Sequence, residues 1–230
     1  MNDLKAGTPT IGIRAGHGGI NPKTGKYTTE NSKFWVHNHS LPIELHATTK
    51  QGKVFYEGVW NRMIADKVSL KLFARNVPNT QFHHRYLDLP LTQQYQAINS
   101  WHKTTPIPLA LELHSNAANT KARGFEVFTS PGNTKSDKYA EYLYKAIQKS
   151  IPQMSLRSDM SDGDHDKETR LTMTTKTNCP TILPEFGFFD NAEDILLIMD
   201  ENIIETYTNL LADTAELAYQ DFISEKKMIK

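Results

Sequence analysis

Apolar positions along this chain fall into short runs that alternate with longer stretches of helical spacing. Thr10-Ile11-Gly12-Ile13 runs into glycines, and residues 9–14 read as a first buried strand. Val59, Met63, Ile64, Val68, Leu70, Leu72 and Phe73 recur at roughly helical spacing, and Asn76 with Pro78 closes that helix. Residues 80–85 read as a short strand and Thr92–His102 as a second helix, ended by Pro106 and Pro108. Leu109–His114 and Gly124–Thr129 are two further strands. Ser136–Ile151 is an amphipathic helix, with Tyr139, Leu143 and Ile147 at i, i+4 and i+8. Pro180–Phe186 is a last buried strand, and two helices follow near 191–199 and 201–225. Strands alternating with helices, with no repeat and no linker, predict one α/β domain over residues 1–230 with a largely parallel sheet.

Two segments break this rhythm. Residues 18–53 are polar and rich in Gly, Asn, Thr, Lys and His, an insertion-like length that usually serves function. A hairpin is expected within it, with Lys33–Val36 as one arm and Leu41–Leu45 as the other. Residues 155–177 are dense in Asp, Arg and Thr. Asp162-Gly163-Asp164-His165-Asp166 lacks the spacing of an EF-hand calcium loop and reads as a solvated loop.

Composition narrows the classes. The 230 residues carry 26 basic and 26 acidic side chains, so no basic excess points to nucleic acid or an anionic membrane. No apolar run approaches the roughly 18 residues of a membrane span. Met1-Asn2-Asp3-Leu4-Lys5 has no apolar core of a Sec signal. The expectation is synthesis in the cytoplasm, with any export by another route. Cys179 is the sole cysteine, which excludes an intrachain disulfide and a thiolate metal site.

Chemistry concentrates at strand ends. His17 lies in Ala15-Gly16-His17-Gly18-Gly19 after the first strand, His114 ends a middle strand, and Glu185 ends the last. In open α/β sheets, ligands bind outside the carboxyl ends of strands, so these three converge. Glu57 opens the first long helix. Each has a plainer role: a satisfied loop histidine, a helix-dipole acid, a core histidine, a solvated strand end. Taken together, two histidines and one carboxylate with an open fourth position make a catalytic zinc site. The apolar flanks of Glu185, Pro184 and Phe186, would raise its pKa and suit a general base. Glu112, two residues before His114, points to the same strand face; it is either a group behind the metal or half of a buried ion pair. Asn116 follows on that strand as a substrate-orienting candidate.

The order Gly-His-Gly-Gly, a Glu opening the next helix with Asn61 and Arg62 after it, Leu113-His114-Ser115-Asn116-Ala117, and Pro184-Glu185-Phe186-Gly187-Phe188-Phe189-Asp190-Asn191 resembles the zinc-dependent N-acetylmuramoyl-L-alanine amidases of the amidase_3 type, from about residue 10 to 215. The resemblance implies a twisted, mainly parallel sheet of about six strands flanked by helices. It implies Zn²⁺ on His17, Glu57 and His114, with Glu185 as base and acid. The implied reaction cleaves the amide between the lactyl group of N-acetylmuramic acid and L-alanine in peptidoglycan. Arg157 and Arg170 then become candidates to bind a stem-peptide carboxylate. Arg14 departs from the family pattern, which usually has an acidic or small residue there. The expected settings are a phage lysin released at lysis or a component of a phage-tail-like assembly, acting on the wall after release or delivery. A zinc peptidase on the stem peptide and a non-catalytic module of a phage-like particle stay open as alternatives.

Overall fold

A computed structural model describes residues 7–29, 33–37, 48–49 and 52–228. In chain order the elements are β1 (Ile11–Ala15), β2 (Phe34–His37), β3 (Thr48–Thr49), β4 (Gly52–Tyr56), α1 (Glu57–Ala74), β5 (Asn79–Gln81), α2 (Leu91–His102), β6 (Ala110–Asn116), β7 (Phe125–Thr129), α3 (Lys135–Ser150), β8 (Lys167–Glu168), α4 (Thr172–Lys176), β9 (Thr181–Phe188), α5 (Asp194–Ile198) and α6 (Glu201–Met228). Six strands form one sheet in the order β5-β1-β6-β9-β7-β8. The β5, β1, β6 and β9 pairings are parallel, and β7 joins β9 antiparallel. Helices flank this sheet to give a single α/β domain, as the strand–helix alternation predicts.

Strand alternation divides the sheet into a packed face and a polar face. Ile11, Ile13, Leu111, Leu113 and Phe186 enter the core. Trp60, Ile64, Val68 and Leu72 of α1 follow at four-residue spacing and are buried against it. Trp60 and Phe186 stack on Tyr207 of α6, and Trp60 Nε1 donates to the Ile198 carbonyl. Because Phe186 is anchored inward, its neighbour Glu185 faces the opposite side. Asn76, at φ 58°, ends α1 in the left-handed conformation that closes helices.

The structure corrects several expectations. Leu70 and Phe73 are about 70% exposed, because they lie off the 60-64-68-72 stripe. The β2 arm of the hairpin pairs antiparallel with β4, Phe34 opposite Tyr56; the second expected arm, Leu41–Leu45, lies outside the described residues. Residues 155–177 contain β8 and α4 rather than loop alone. Asp166 is buried, not solvated, and takes a hydrogen bond from Thr129 Oγ1. Burial and the adjacent Asp164 push its carboxyl up to about 7. Folding therefore takes up a proton, and stability is lost as pH rises from the ordinary Asp range through 7. Asp166→Asn should raise Tm at pH 8 relative to wild type, by roughly 2–4 °C per kcal/mol recovered, and change it far less at pH 4. Thermal melts at the two pH values test this.

Candidate metal centre and catalytic groove

The end of β1, the carboxyl-terminal halves of β6 and β9 and one helix start meet on the polar face; β6 runs on past His114 to Asn116 and β9 past Glu185 to Phe188, so neither residue ends its strand as expected. His17 sits just beyond β1 with φ 61°, a left-handed conformation that costs a non-glycine residue on the order of 1 kcal/mol. The surrounding loop holds it there. Gly16 N–H donates to the Leu113 carbonyl at 2.9 Å, Gly18 N–H to Thr29 Oγ1 at 2.6 Å, and Gly19 N–H to the Tyr86 carbonyl at 2.7 Å. A Cβ on Gly16 would lie 2.1 Å from the His114 ring, so only glycine lets the two histidines approach. Their ring centroids are 5.0 Å apart.

Glu57 is the first residue of α1 and is fully buried. Its Oε1 lies 2.9 Å from His114 Nδ1 and its Oε2 3.4 Å from His17 Nε2. Asn61, one turn along α1, reaches back to both the Gly16 carbonyl and Glu57. Arg62 ties the start of α1 to the loop at 84–86 by donating to the carbonyls of Gly58, His84 and Arg85. Gly58 is packed so closely that an added Cβ would stand 1.9 Å from the Gly18 carbonyl oxygen. Gly58→Ala must therefore push apart the loop carrying His17 and the helix carrying Glu57. The expected cost is about 1–3 kcal/mol of stability together with weakened metal binding, measured by denaturant melts and zinc titration.

Burial opposes ionisation of Glu57, but the hydrogen bond and charge of His114 and the charges of His17 and Lys33 outweigh it and hold the carboxyl at about 2. Burial lowers the pKa of His17 and so favours its neutral ring, despite the nearby Asp88. A charged carboxylate and a neutral imidazole are the states a metal requires. His17, Glu57 and His114 each offer a ligand atom, all within 4.8 Å of one another, the only such group of three among the described residues. Within this group His17 Nε2 and Glu57 Oε2 are buried without a hydrogen-bond partner. The donor set and its orphaned atoms fit zinc in a two-His, one-carboxylate site.

Glu185 stands directly beside His114 in the parallel β6–β9 register. Burial raises its carboxyl to about 8, with the charge of His114 opposing and that of Glu57 adding to the rise. Its Oε2 is also buried and unpartnered. Glu185, His17, Glu112 and His114 line a groove of about 470 Å³, walled by Arg14, Lys33, Asp88 and the segment Arg170–Met173.

The other sequence candidates divide by position. Glu112 is buried at the groove floor, paired with Arg14 and 3.1 Å from His114 Nε2. Arg170 lines the groove wall. Asn116 and Arg157 instead both bind Glu126, at 2.7 and 2.9 Å, and Arg157 lies over the Phe188 ring. Sequence reasoning missed Asp88, whose Oδ2 accepts from Thr29 Oγ1 at 2.8 Å and stands 3.8 Å from His17 Nδ1. It also missed Lys33, with Nζ 3.5 Å from Glu57. His83 and His84 serve the loops: His83 Nδ1 accepts from Ala15 N–H, and His84 Nδ1 from Tyr86 and Leu87 N–H.

Comparisons with known proteins place the fold and the family. No curated protein sequence matches the chain. Among solved structures, the N-acetylmuramoyl-L-alanine amidase of Clostridium difficile 630 is similar at 20% identity, with 93% of this chain and 97% of that one covered and a TM-score of 0.68. Ami1 of Mycobacterium smegmatis is similar at 15% identity, 95% and 100% coverage and a TM-score of 0.68. The catalytic domain of the CD27L endolysin, described as targeting Clostridia difficile, is similar at 18% identity, 90% and 96% coverage and a TM-score of 0.60. The Amidase_3 family model, described as N-acetylmuramoyl-L-alanine amidase, matches residues 11–215, and the chain belongs to that family.

Proposed function

We propose that this peptidoglycan amidase hydrolyses the amide between the lactyl group of N-acetylmuramic acid and L-alanine, with zinc held by His17, Glu57 and His114 and with Glu185 moving the proton. The observation that carries the reading is the convergence of those three ligand atoms within 4.8 Å, with a non-ligating carboxyl in register beside them. When bound, zinc would polarise the scissile carbonyl and lower the pKa of water towards ~7. Glu185 takes the proton of the attacking water and returns it to the amine of L-alanine as the C–N bond breaks. The lactyl carbonyl gains the hydroxyl, and the stem peptide leaves with a free amino terminus. Glu185, which burial raises to about 8 in the metal-free chain, would be drawn back towards a base at neutral pH by a cation held on His17, Glu57 and His114. Arg170 and Lys33, cations on the groove wall, are the residues we assign to the stem-peptide carboxylates. Glu126 engages Arg157 and Asn116, so these two take no direct part in this reading.

Release as a lysin at cell lysis, or delivery by a phage-tail-like assembly, belongs to the same proposal. One of the proteins that share its fold is an endolysin catalytic domain, at 18% identity. Detection of the protein in the periplasm of healthy, unlysed producer cells would contradict it. Digestion of purified peptidoglycan followed by mass spectrometry tests the bond cleaved. The reading expects free stem peptides that begin at L-alanine. New amino termini elsewhere in the peptide would move the chemistry to a peptidase.

A further inference from the structure

We infer that Glu112, held by Arg14, is the positioning residue that fixes the tautomer and orientation of His114 for metal binding. This rests on the metal site proposed above. Glu112 and His114 lie two residues apart on β6 and so share the polar face. Arg14 is the cross-strand neighbour of Glu112 in the β1–β6 register. Glu112 and Arg14 are 1% and 3% exposed, so their ion pair is formed out of water.

His114 has a carboxylate at each ring nitrogen. Nδ1 is 2.9 Å from Glu57 and Nε2 is 3.1 Å from Glu112. A neutral imidazole carries one N–H and one lone pair. Of the two carboxylates, Glu57 belongs to the cluster of metal-type donors, and Glu112 does not. With metal bound, the N–H is therefore satisfied at Glu112 and the Nδ1 lone pair is turned towards the metal site, in place of the hydrogen bond that Nδ1 gives Glu57 in the metal-free chain. A carboxylate that takes the outer N–H of a metal-bound histidine fixes its tautomer and increases its basicity. Arg14 has a separate part. It neutralises Glu112, which would otherwise add a further carboxylate charge to a groove already lined by Asp88 and Glu185. It also ties Glu112 to the neighbouring strand.

The double variants Arg14→Met/Glu112→Leu and Arg14→Met/Glu112→Gln test this without leaving one buried charge unpaired, since well-packed apolar replacements of a buried pair are often neutral for stability. Zinc affinity is read by competition with a chromophoric chelator, and folding by the thermal midpoint of each metal-free protein. The inference predicts that Arg14→Met/Glu112→Leu binds zinc about 10–100-fold more weakly than wild type, and that the Gln variant, which keeps an acceptor for Nε2–H, recovers much of the loss. Unchanged zinc affinity in the folded Leu variant would overturn it. Wild-type protein with ¹⁵N-labelled histidine supplies a second reading that needs no variant fold. Zinc-loaded, its His114 signal should show the proton on Nε2, and a proton on Nδ1 would contradict the assignment. Failure of wild type to bind zinc at all is a different outcome: it removes the metal site itself, and this role for Glu112 with it.

Discussion

Glu185→Gln is expected to lower peptide release from peptidoglycan by about 10²–10⁴-fold while leaving zinc bound at one per chain. The glutamine keeps the size and place of the side chain beside His114 but cannot accept a proton. Because Glu185 lies outside the group of three ligand-type residues, its loss removes proton transfer and spares the metal. A second readout separates this from general damage. In the metal-free chain burial raises the Glu185 carboxyl to about 8, far above an unfolded glutamate. Folding thus takes up a proton, and the wild-type chain loses stability as pH rises from about 4.5 through 8. Metal-free Glu185→Gln should therefore melt above metal-free wild type at pH 9 and close to it at pH 4. Full activity in the variant, or loss of zinc along with activity, would remove Glu185 from its assigned role.

His17→Ala and His114→Ala are expected to abolish both zinc binding and activity. Zinc at about 1,000 times its dissociation constant should stabilise wild type by about 4 kcal/mol, roughly 8–16 °C in Tm for a chain of this length. Neither variant should show that shift. Glu57→Ala should lose it too, with an added penalty in the metal-free protein. Its carboxylate accepts from Asn61 and from the Ser115 amide, both buried; truncation leaves Asn61 only its bond to the Gly16 carbonyl and takes from Ser115 N–H this acceptor, at a total of about 1–3 kcal/mol. Calorimetry with and without zinc distinguishes the three variants.

Much of this was legible in the chain because strand ends are legible. The apolar runs before Gly16, His114 and Glu185 point to the carboxyl edge of a parallel sheet, and the topology brings those positions together, although β6 runs on to Asn116 and β9 to Phe188. The packed face was readable for the same reason, as alternation in β6 and β9 sends Leu113 and Phe186 one way and His114 and Glu185 the other. Leu70 and Phe73 show the limit of spacing. Helical periodicity admits several stripes, and only the sheet decides that 60-64-68-72 is the buried one. The partner of β2 was hidden because antiparallel pairing across a long insertion leaves no local signal. Asp88 and Lys33 were missed since each joins the site from a loop through tertiary contact alone. Asn61 was half visible, as a polar residue one helical turn from Glu57. For Glu112 both sequence readings meet in one residue: it pairs with Arg14 and also backs His114. Asp166 was read as solvated because an acidic string has no written sign of which carboxylate turns inward towards Thr129.

The most direct test is to strip the chain with a chelator and add zinc back in substoichiometric steps while following release of L-alanine-terminated peptides from peptidoglycan. The account predicts that activity is absent at first, rises in proportion to zinc and levels off at one ion per chain, with no recovery in His114→Ala. A chelated chain that releases the same peptides at the undiminished rate would contradict it.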